Sequence, residues 1–336
     1  MPKVSALLSV YNGESYINDA IKSVLTQTYD DFEFVIVNDG STDNTLNIIK
    51  SYNDPRIVLL NLEENIGIAL ALNKAIPKLK GKYTIKIDGD DIQHSSRFER
   101  QITFMENNQS IDVAKSLFEF FPNTLEISQT KRYKIFKDIL EKNKNEVYTS
   151  EEISKYLYSF CCIPHATMII KTNILKKYKY RDLKVYEDYD LFYRMNRSKI
   201  VFGHINENLV KVRVSDNSTT AIAKKEIFNE TIYTIKEDIL KVFKKKENIY
   251  IWGAGSFGKE VLSILKDHHW EINGFIDSDK SKVGQIIEKL IVFDYEDIKS
   301  KYNLKFIVAS QPGMMQIISQ LEADNYSLFR DYIVFR

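Results

Sequence analysis

The chain has 336 residues, long enough for two domains with cores of their own. Its 47 Lys and Arg against 46 Asp and Glu leave a net charge of +1, so the total carries no nucleic-acid-binding field. No run approaches the ~20 apolar residues of a membrane span, the N-terminus has no signal-peptide core, and the only cysteines, the adjacent Cys161 and Cys162, fit no metal or disulfide spacing, which predicts a reducing, cytoplasmic setting.

In chain order, residues 4–10 form a continuous apolar run of strand length, and 15–28 have helical spacing, with Ile17, Ala20, Ile21, Val24 and Leu25 on one face. Strands follow at 32–37, 57–62 and 83–87, with helices at 42–52 and 68–79 between them. Continuous apolar strands alternating with helices predict an α/β fold with a mostly parallel sheet covered on both faces, whose ligands sit beyond the carboxyl ends of the strands. The polar punctuation falls at those ends: Tyr11-Asn12-Gly13-Glu14, Asn38-Asp39-Gly40-Ser41-Thr42-Asp43, Glu63-Glu64-Asn65-Ile66-Gly67 and Asp88-Gly89-Asp90-Asp91. Ser41 and Thr42 read as ordinary turn residues, whereas Asp39, before a glycine at a strand end, is placed to accept from a base N–H.

Three carboxylates at the end of one strand repel unless something positive joins them. A hard divalent cation, Mg²⁺ or Mn²⁺, is the usual answer, and such a metal often holds phosphates. Asp88–Asp91 therefore point to a phosphorylated or nucleotide-activated substrate; an acidic surface turn is the bland alternative.

Farther along, 112–121 reads as a strand, and Thr149 with Glu152 has capping-box spacing before Ile153, Tyr156 and Leu157. The lysine- and aromatic-rich stretch between the acidic motif and residue 186 is where the acceptor half of a site belongs. Tyr186-Glu187-Asp188-Tyr189-Asp190-Leu191 opens an amphipathic stretch, so Glu187 and Asp188 read either as site residues or as acids in a first helical turn.

Taken together, the runs 9–14, 37–43, 64–67 with Leu72-Asn73, 88–91 and 186–191 resemble the family-two inverting glycosyltransferases over about residues 3–220. The resemblance implies a Rossmann-like glycosyltransferase A domain and a nucleotide-diphospho-sugar donor, UDP-linked by preference. It implies Asp188 as general base with Glu187 beside it, Asp90 and Asp91 near Mn²⁺ or Mg²⁺, and Asp88 at the ribose or nucleotide. Tyr11 and Asp39 are implied at the base, with Asn12, Glu14, Asn65, Gly89 and Arg213 completing the donor side. The acceptor is implied to be a hydroxyl of a glycan, polymer or glycoprotein. His165, before the strand 168–170, falls on the acceptor side, though a lone histidine there is more often structural. Arg97 and Gln101 match a helix of the family or are solvated. The family often carries an aromatic before the arginine and a histidine after the strand 209–214; here Val212 and Ser215 stand there, which puts a third metal ligand in doubt.

A second unit is expected after residue 221. Residues 222–247 read as a charged connecting helix, and 248–336 as a small Rossmann-like domain with strands at 249–252, 272–276 and 306–309. Gly253-Ala254-Gly255-Ser256-Phe257-Gly258 is G-x-G-x-x-G between strand and helix, and Asp277 follows at the distance of a ribose-binding acid. The run 274–279 with Val283-Gly284 resembles small domains attached to bacterial sugar-modifying enzymes, including the N-terminal domain of sugar acetyltransferases; nucleotide binding, packing and homo-oligomerisation stay open. Basic clusters such as Lys131-Arg132-Tyr133-Lys134 and Lys244–Lys246 read as solvated faces rather than binding patches, with a weak contact with the inner membrane face left open. The rival functions are an inactive nucleotide-sugar-binding or scaffold protein and an NAD-dependent enzyme run by the C-terminal glycines.

Overall fold

The computed structural model describes residues 1–146, 148–215, 224–301, 303–310 and 313–336. Backbone contacts divide the chain into two units, Met1–Leu157 with Cys161–Ile222, and Tyr158–Phe160 with Ala223–Arg336. The boundary expected at 221–222 and the loop residues Asp216–Ser218 lie outside the described residues.

The first unit is built on an eight-stranded sheet in the order β3-β2-β1-β4-β7-β6-β8-β5. Its strands are β1 (Val4–Val10), β2 (Phe32–Asp39), β3 (Ile57–Leu62), β4 (Tyr83–Asp88), β5 (Ile92–Gln93), β6 (Val113–Pro122), β7 (Ile169–Lys171) and β8 (Phe202–Val214). The first four run parallel, in registers that bring Val10 beside Asn38, Ser9 beside Asp88 and Asp39 beside Leu62. The carboxyl ends of these strands therefore share one edge, as α/β alternation requires. Strands β1 and β2 are buried along nearly their whole length because helices cover both faces. Helix Ile17–Leu25 contributes Ile17, Ala20, Ile21 and Val24 to that core.

Past β4 the sheet is mixed. Strand β7 pairs antiparallel with both β4 and β6, β8 lies parallel to β6, and β5 is antiparallel to β8. The β6–β8 register shifts at Ser116 and Leu117, a bulge that bends the sheet where it leaves the parallel half.

The second unit carries a six-stranded sheet in the order β11-β12-β10-β9-β13-β14, from β9 (Ile249–Trp252), β10 (Gly274–Ile276), β11 (Ile286–Ile287), β12 (Leu290–Phe293), β13 (Lys305–Val308) and β14 (Tyr332–Val334). All of its pairings are parallel except β11–β12. The single helix read over 224–246 is two, Lys225–Ile235 and Glu237–Phe243. They part at Lys236, whose ammonium is buried and donates to the carbonyls of Ser159 (3.0 Å) and Val334 (2.8 Å).

Candidate active site

The loops after β1, β2 and β3 are tied to one another by side chains that the family resemblance assigns to the donor side. Asn12 donates its N–H to Ser41 Oγ (3.0 Å) and accepts from Thr42 N–H through Oδ1 (2.8 Å). Glu14 donates its N–H to Asp43 Oδ2 (3.1 Å) and accepts from Asn44 N–H (2.9 Å). Asp39, 2% exposed, accepts Ile66 N–H on Oδ1 (2.9 Å) and Gly67 N–H on Oδ2 (3.0 Å). Asn65 Oδ1 takes a second bond from Gly67 N–H (3.0 Å). Gly40 makes this approach feasible: its φ is +66°, and a Cβ there would stand 2.3 Å from the backbone carbon of Glu64. Tyr11, at the start of the first of these loops, is 47% exposed.

The acidic motif sits at the end of β4 over two buried cations. Lys86, wholly buried on the strand itself, bonds the Ile87 carbonyl (2.7 Å) and the Asp88 carboxylate. Arg97, also wholly buried, donates to Gln101 (3.1 Å), to Gln93 and to the Lys86 carbonyl (3.1 Å). Arg97 and Gln101 are thus not solvated: they anchor helix Arg97–Asn107 beneath the motif. Burial pushes the Arg97 guanidinium down to about 9, against the pull of Asp88 and Asp91.

The three carboxylates respond differently. Burial raises Asp88, but the charge and hydrogen bond of Lys86, with the charge of Arg97, outweigh it and hold the group below the usual carboxylate range. Asp90 is pushed up to about 6 by burial and by the charge of Asp88. Asp91, 2% exposed, goes well above the ordinary value through burial and the charges of Asp90 and Asp88, despite accepting Arg213 N–H (2.9 Å). Gly89, half-buried, separates the first carboxylate from the other two. Arg213 is held rigidly: Nε donates to the Asp90 carbonyl (2.8 Å), and its guanidinium lies 4.6 Å from the ring centres of both Tyr16 and Phe121.

Among the described residues, no group of three or more His, Cys, Asp or Glu side chains is arranged to hold a metal ion. The donor set nevertheless fits a hard divalent cation. Asp90 and Asp91 offer oxygen ligands, both disfavoured in their charged form by burial and by the carboxylates before them, while the Lys86 ammonium is engaged by Asp88. Ser215 is buried at the end of β8, and its carbonyl accepts from Arg132 (2.7 Å).

A second acidic pair opens helix Glu187–Arg197, whose N-cap Tyr186 is left-handed (φ +58°). Glu187, 8% exposed, is pushed up to about 8 by burial and the charge of Asp188. Asp188 is raised by burial, Lys144 being the strongest opposing charge; its Oδ1 accepts Tyr189 N–H (2.7 Å) and its Oδ2 lies 3.9 Å from the Cys161 thiol. Both feel the charge of Asp88, so the two acidic groups share one electrostatic field. Asp190, fully buried, fixes the helix through Arg181 Nε (2.8 Å) and Arg194 Nε (2.7 Å). His165 lies between the groups: Nε2 is 2.8 Å from the Tyr180 hydroxyl, and Nδ1 is 3.9 Å from Glu187. Burial and the charge of Lys86 push it down to about 3, so it is a neutral ring.

The sequence reading missed Lys86, Tyr180, Cys161 and Lys144. Lys86 had a signal, since a lysine amid the apolar residues of strand 83–87 needs a buried partner. The others had none, being brought in by the fold.

In the second unit, Gly253 has φ +123°, and a Cβ on Gly258 would stand 1.8 Å from the Gly253 carbonyl oxygen, so these glycines let strand and helix pack. Gly255 stands just ahead of helix Ser256–Asp267 with open space at its Cβ position. Asp277 accepts from Ala254 N–H (2.9 Å), Asp279 N–H (2.9 Å) and Lys282 Nζ (3.0 Å).

The sequence matches the family described as Glycosyl transferase family 2 over residues 5–179, and the one described as C2185-like, N-terminal over residues 245–328. An uncharacterized glycosyltransferase of Methanocaldococcus jannaschii, MJ1057, is 33% identical over 258 residues, covering 75% of this chain and 84% of that protein. Among solved structures, S. aureus TarS in complex with UDP superposes with a TM-score of 0.54 at 23% identity, over 71% of this chain and 65% of that one; TarS is also solved with UDP-GlcNAc. A mannosyltransferase of Pyrobaculum calidifontis, in complex with GDP-Man and Mn²⁺, has a TM-score of 0.54 at 13% identity, over 71% of this chain and 64% of that one. At these identities the likeness is one of fold; this chain spans just under two thirds of either structure.

Proposed function

The chain belongs to glycosyl transferase family 2 and is a transferase enzyme, and from that premise we propose that it moves a sugar, with inversion, from a UDP-linked donor to a hydroxyl of a glycan, polymer or glycoprotein, Asp188 acting as general base. The observation that carries this reading is two acidic groups in the first unit, Asp88-Asp90-Asp91 at the end of β4 and Glu187-Asp188 at a helix start, half-buried to buried, with Asp91 and Glu187 the most enclosed. A donor diphosphate needs the first, and deprotonation of an acceptor hydroxyl needs the second. The complexes of TarS with UDP and UDP-GlcNAc support a uridine donor.

Within this reading the two members of the second pair differ in role. Glu187 holds a proton at neutral pH and positions the acceptor as a hydrogen-bond donor. Asp188, with Lys144 favouring its charged form, accepts the acceptor's proton. Neutral His165, fixed by Tyr180, keeps the wall between the two groups uncharged. Asp90 and Asp91 would hold Mn²⁺ or Mg²⁺, whose chemistry is neutralisation of charge on the departing diphosphate. Arg213, immobilised by Tyr16 and Phe121, fixes the acidic loop that bears them. Asn12, Glu14, Asp39 and Asn65 shape the donor floor by holding its loops together, and exposed Tyr11 is free to flank the base. Gly253, Gly258 and Asp277 serve the second unit's own packing, a reading supported by the close approach at the two glycines and the bonds already made to Asp277, whereas Gly255 faces open space.

The test is nucleoside diphosphate release from a panel of nucleotide sugars with acceptor extracts, in Mn²⁺, Mg²⁺ or EDTA, for the wild type and Asp188→Asn. Release from one donor that EDTA abolishes, and at least a thousand-fold loss in the variant with donor affinity retained, is the expected result. Near-normal transfer by Asp188→Asn would remove Asp188 from the base role; undiminished release in EDTA would remove the metal.

A further inference from the structure

Residues 131–145 form one helical run, Lys131–Ile135, Phe136–Leu140 and Glu141–Asn145, with a wider turn in the middle. Its inner side is docked on β6. Phe136 packs on Phe120 with ring centres 5.1 Å apart, Glu141 accepts Phe120 N–H (2.5 Å), and Asn145 bonds the Phe118 carbonyl (2.8 Å). The outer side bears Lys131, Lys134, Ile135, Asp138, Ile139 and Lys142, all exposed and three or four residues apart, hence on one stripe.

That stripe inverts the usual pattern. Ile135 and Ile139, one turn apart, are 39% and 50% exposed at its centre, while lysines flank them, and Leu125, just ahead, is 80% exposed. Six basic and two acidic residues give this stretch a charge of +4 in a chain whose total is +1. Among the described residues, no carboxylate pairs with Lys131 or Lys134. Apolar side chains framed by lysines are what an interfacial helix presents to anionic headgroups. The far end of the same helix carries Lys144, whose charge acts on Asp188.

We propose that the outward face of residues 131–142 docks on an anionic lipid membrane, with Ile135 and Ile139 entering the headgroup region and Lys131, Lys134 and Lys142 meeting lipid phosphates. Its meaning for catalysis, bringing the acceptor side of the site to a lipid surface, rests on the transferase reading; the docking itself does not.

Sedimentation with vesicles of phosphatidylcholine, with and without phosphatidylglycerol, tests it on the full chain. The wild type binds only the phosphatidylglycerol vesicles, and added salt weakens binding. Lys131→Gln/Lys134→Gln/Lys142→Gln lowers partitioning about a hundred-fold, near five-fold per lysine. Ile135→Ser/Ile139→Ser lowers it about ten-fold. The second basic cluster, changed as Lys244→Gln/Lys245→Gln/Lys246→Gln, has no such effect, and circular dichroism shows all three variants folded. Absence of wild-type binding, equal loss in the Lys244–Lys246 variant, or a dimer in vesicle-free solution that the isoleucine variant dissociates would overturn the proposal. None of these outcomes depends on transferase activity, which is read separately by nucleoside diphosphate release.

Discussion

Glu187 shows how burial sets the chemistry of a single side chain. Removal from water, then the charge of Asp188, carries it from 4.5 to about 8. The folded state thus keeps a proton that the unfolded chain releases. The associated stability is fully present below 4.5 and is lost as pH rises through about 8. Glu187→Gln mimics the protonated form, so its unfolding free energy should match the wild type below pH 4.5 and exceed it increasingly toward pH 8, by an amount on the order of a few kcal/mol, with a correspondingly higher melting temperature. A difference that stays constant across that range in a fluorescence melting series would show that Glu187 is already ionised. At the acidic motif the balance runs the other way for Asp88, where Lys86 and its neighbours outweigh burial. That motif was half legible in the sequence: three acids at a strand end advertise a need for positive charge, and the sequence reading assigned it to a metal. Lys86, two residues upstream on the same strand, supplies part of it.

At the level of elements, the parallel half of the first sheet was readable because its strands are continuous apolar runs separated by helical spacing and glycine-containing turns. Gly40 shows what such a turn does. Its left-handed backbone and the close approach of the Glu64 backbone leave no room for a side chain. Gly40→Ala should cost about 2 kcal/mol or more and weaken donor binding, because the 64–67 loop would have to leave the Asp39 carboxylate. An unchanged melting temperature and donor affinity would mean that the loop relaxes freely. The half beyond β4 was far less legible. Of the helical run 131–145 only the basic cluster 131–134 was read, as a solvated face with a weak membrane contact left open, since an outward face carrying isoleucines does not show helical amphipathicity. The charged stretch 224–246 was read as one helix because its spacing is uniform; the break falls at Lys236, whose ammonium bonds the carbonyls of Ser159, Val334 and Arg336, all far from it in sequence.

Considered whole, the molecule crosses between its units more than once, since Tyr158–Phe160 group with the C-terminal portion. Within that unit Tyr158 meets Phe329 edge to face at 4.8 Å, Phe160 lies under the Arg336 guanidinium at 5.6 Å, and Ser159 receives the Lys236 ammonium. A chain ended after residue 222 would strip these three residues of their surroundings. It should melt lower than the first-unit transition of the full chain and expose apolar surface, as read by scanning calorimetry and a hydrophobic dye. A shortened chain with an unaltered transition would show the segment to be energetically neutral.

The sequence by itself determined the alternation of strands and helices, the edge at which the loops gather, and the acidic motifs in family order. Those properties follow from side-chain periodicity and turn chemistry acting over a few residues. Tertiary structure decided the charge states and the partnerships: that Asp39, Asn12 and Glu14 hold loops, that Arg97 is buried, that Arg213 grips the Asp90 carbonyl 123 residues away, and that a thiol lies against Asp188. Such outcomes depend on distance and burial between segments far apart in the chain, which no local pattern encodes.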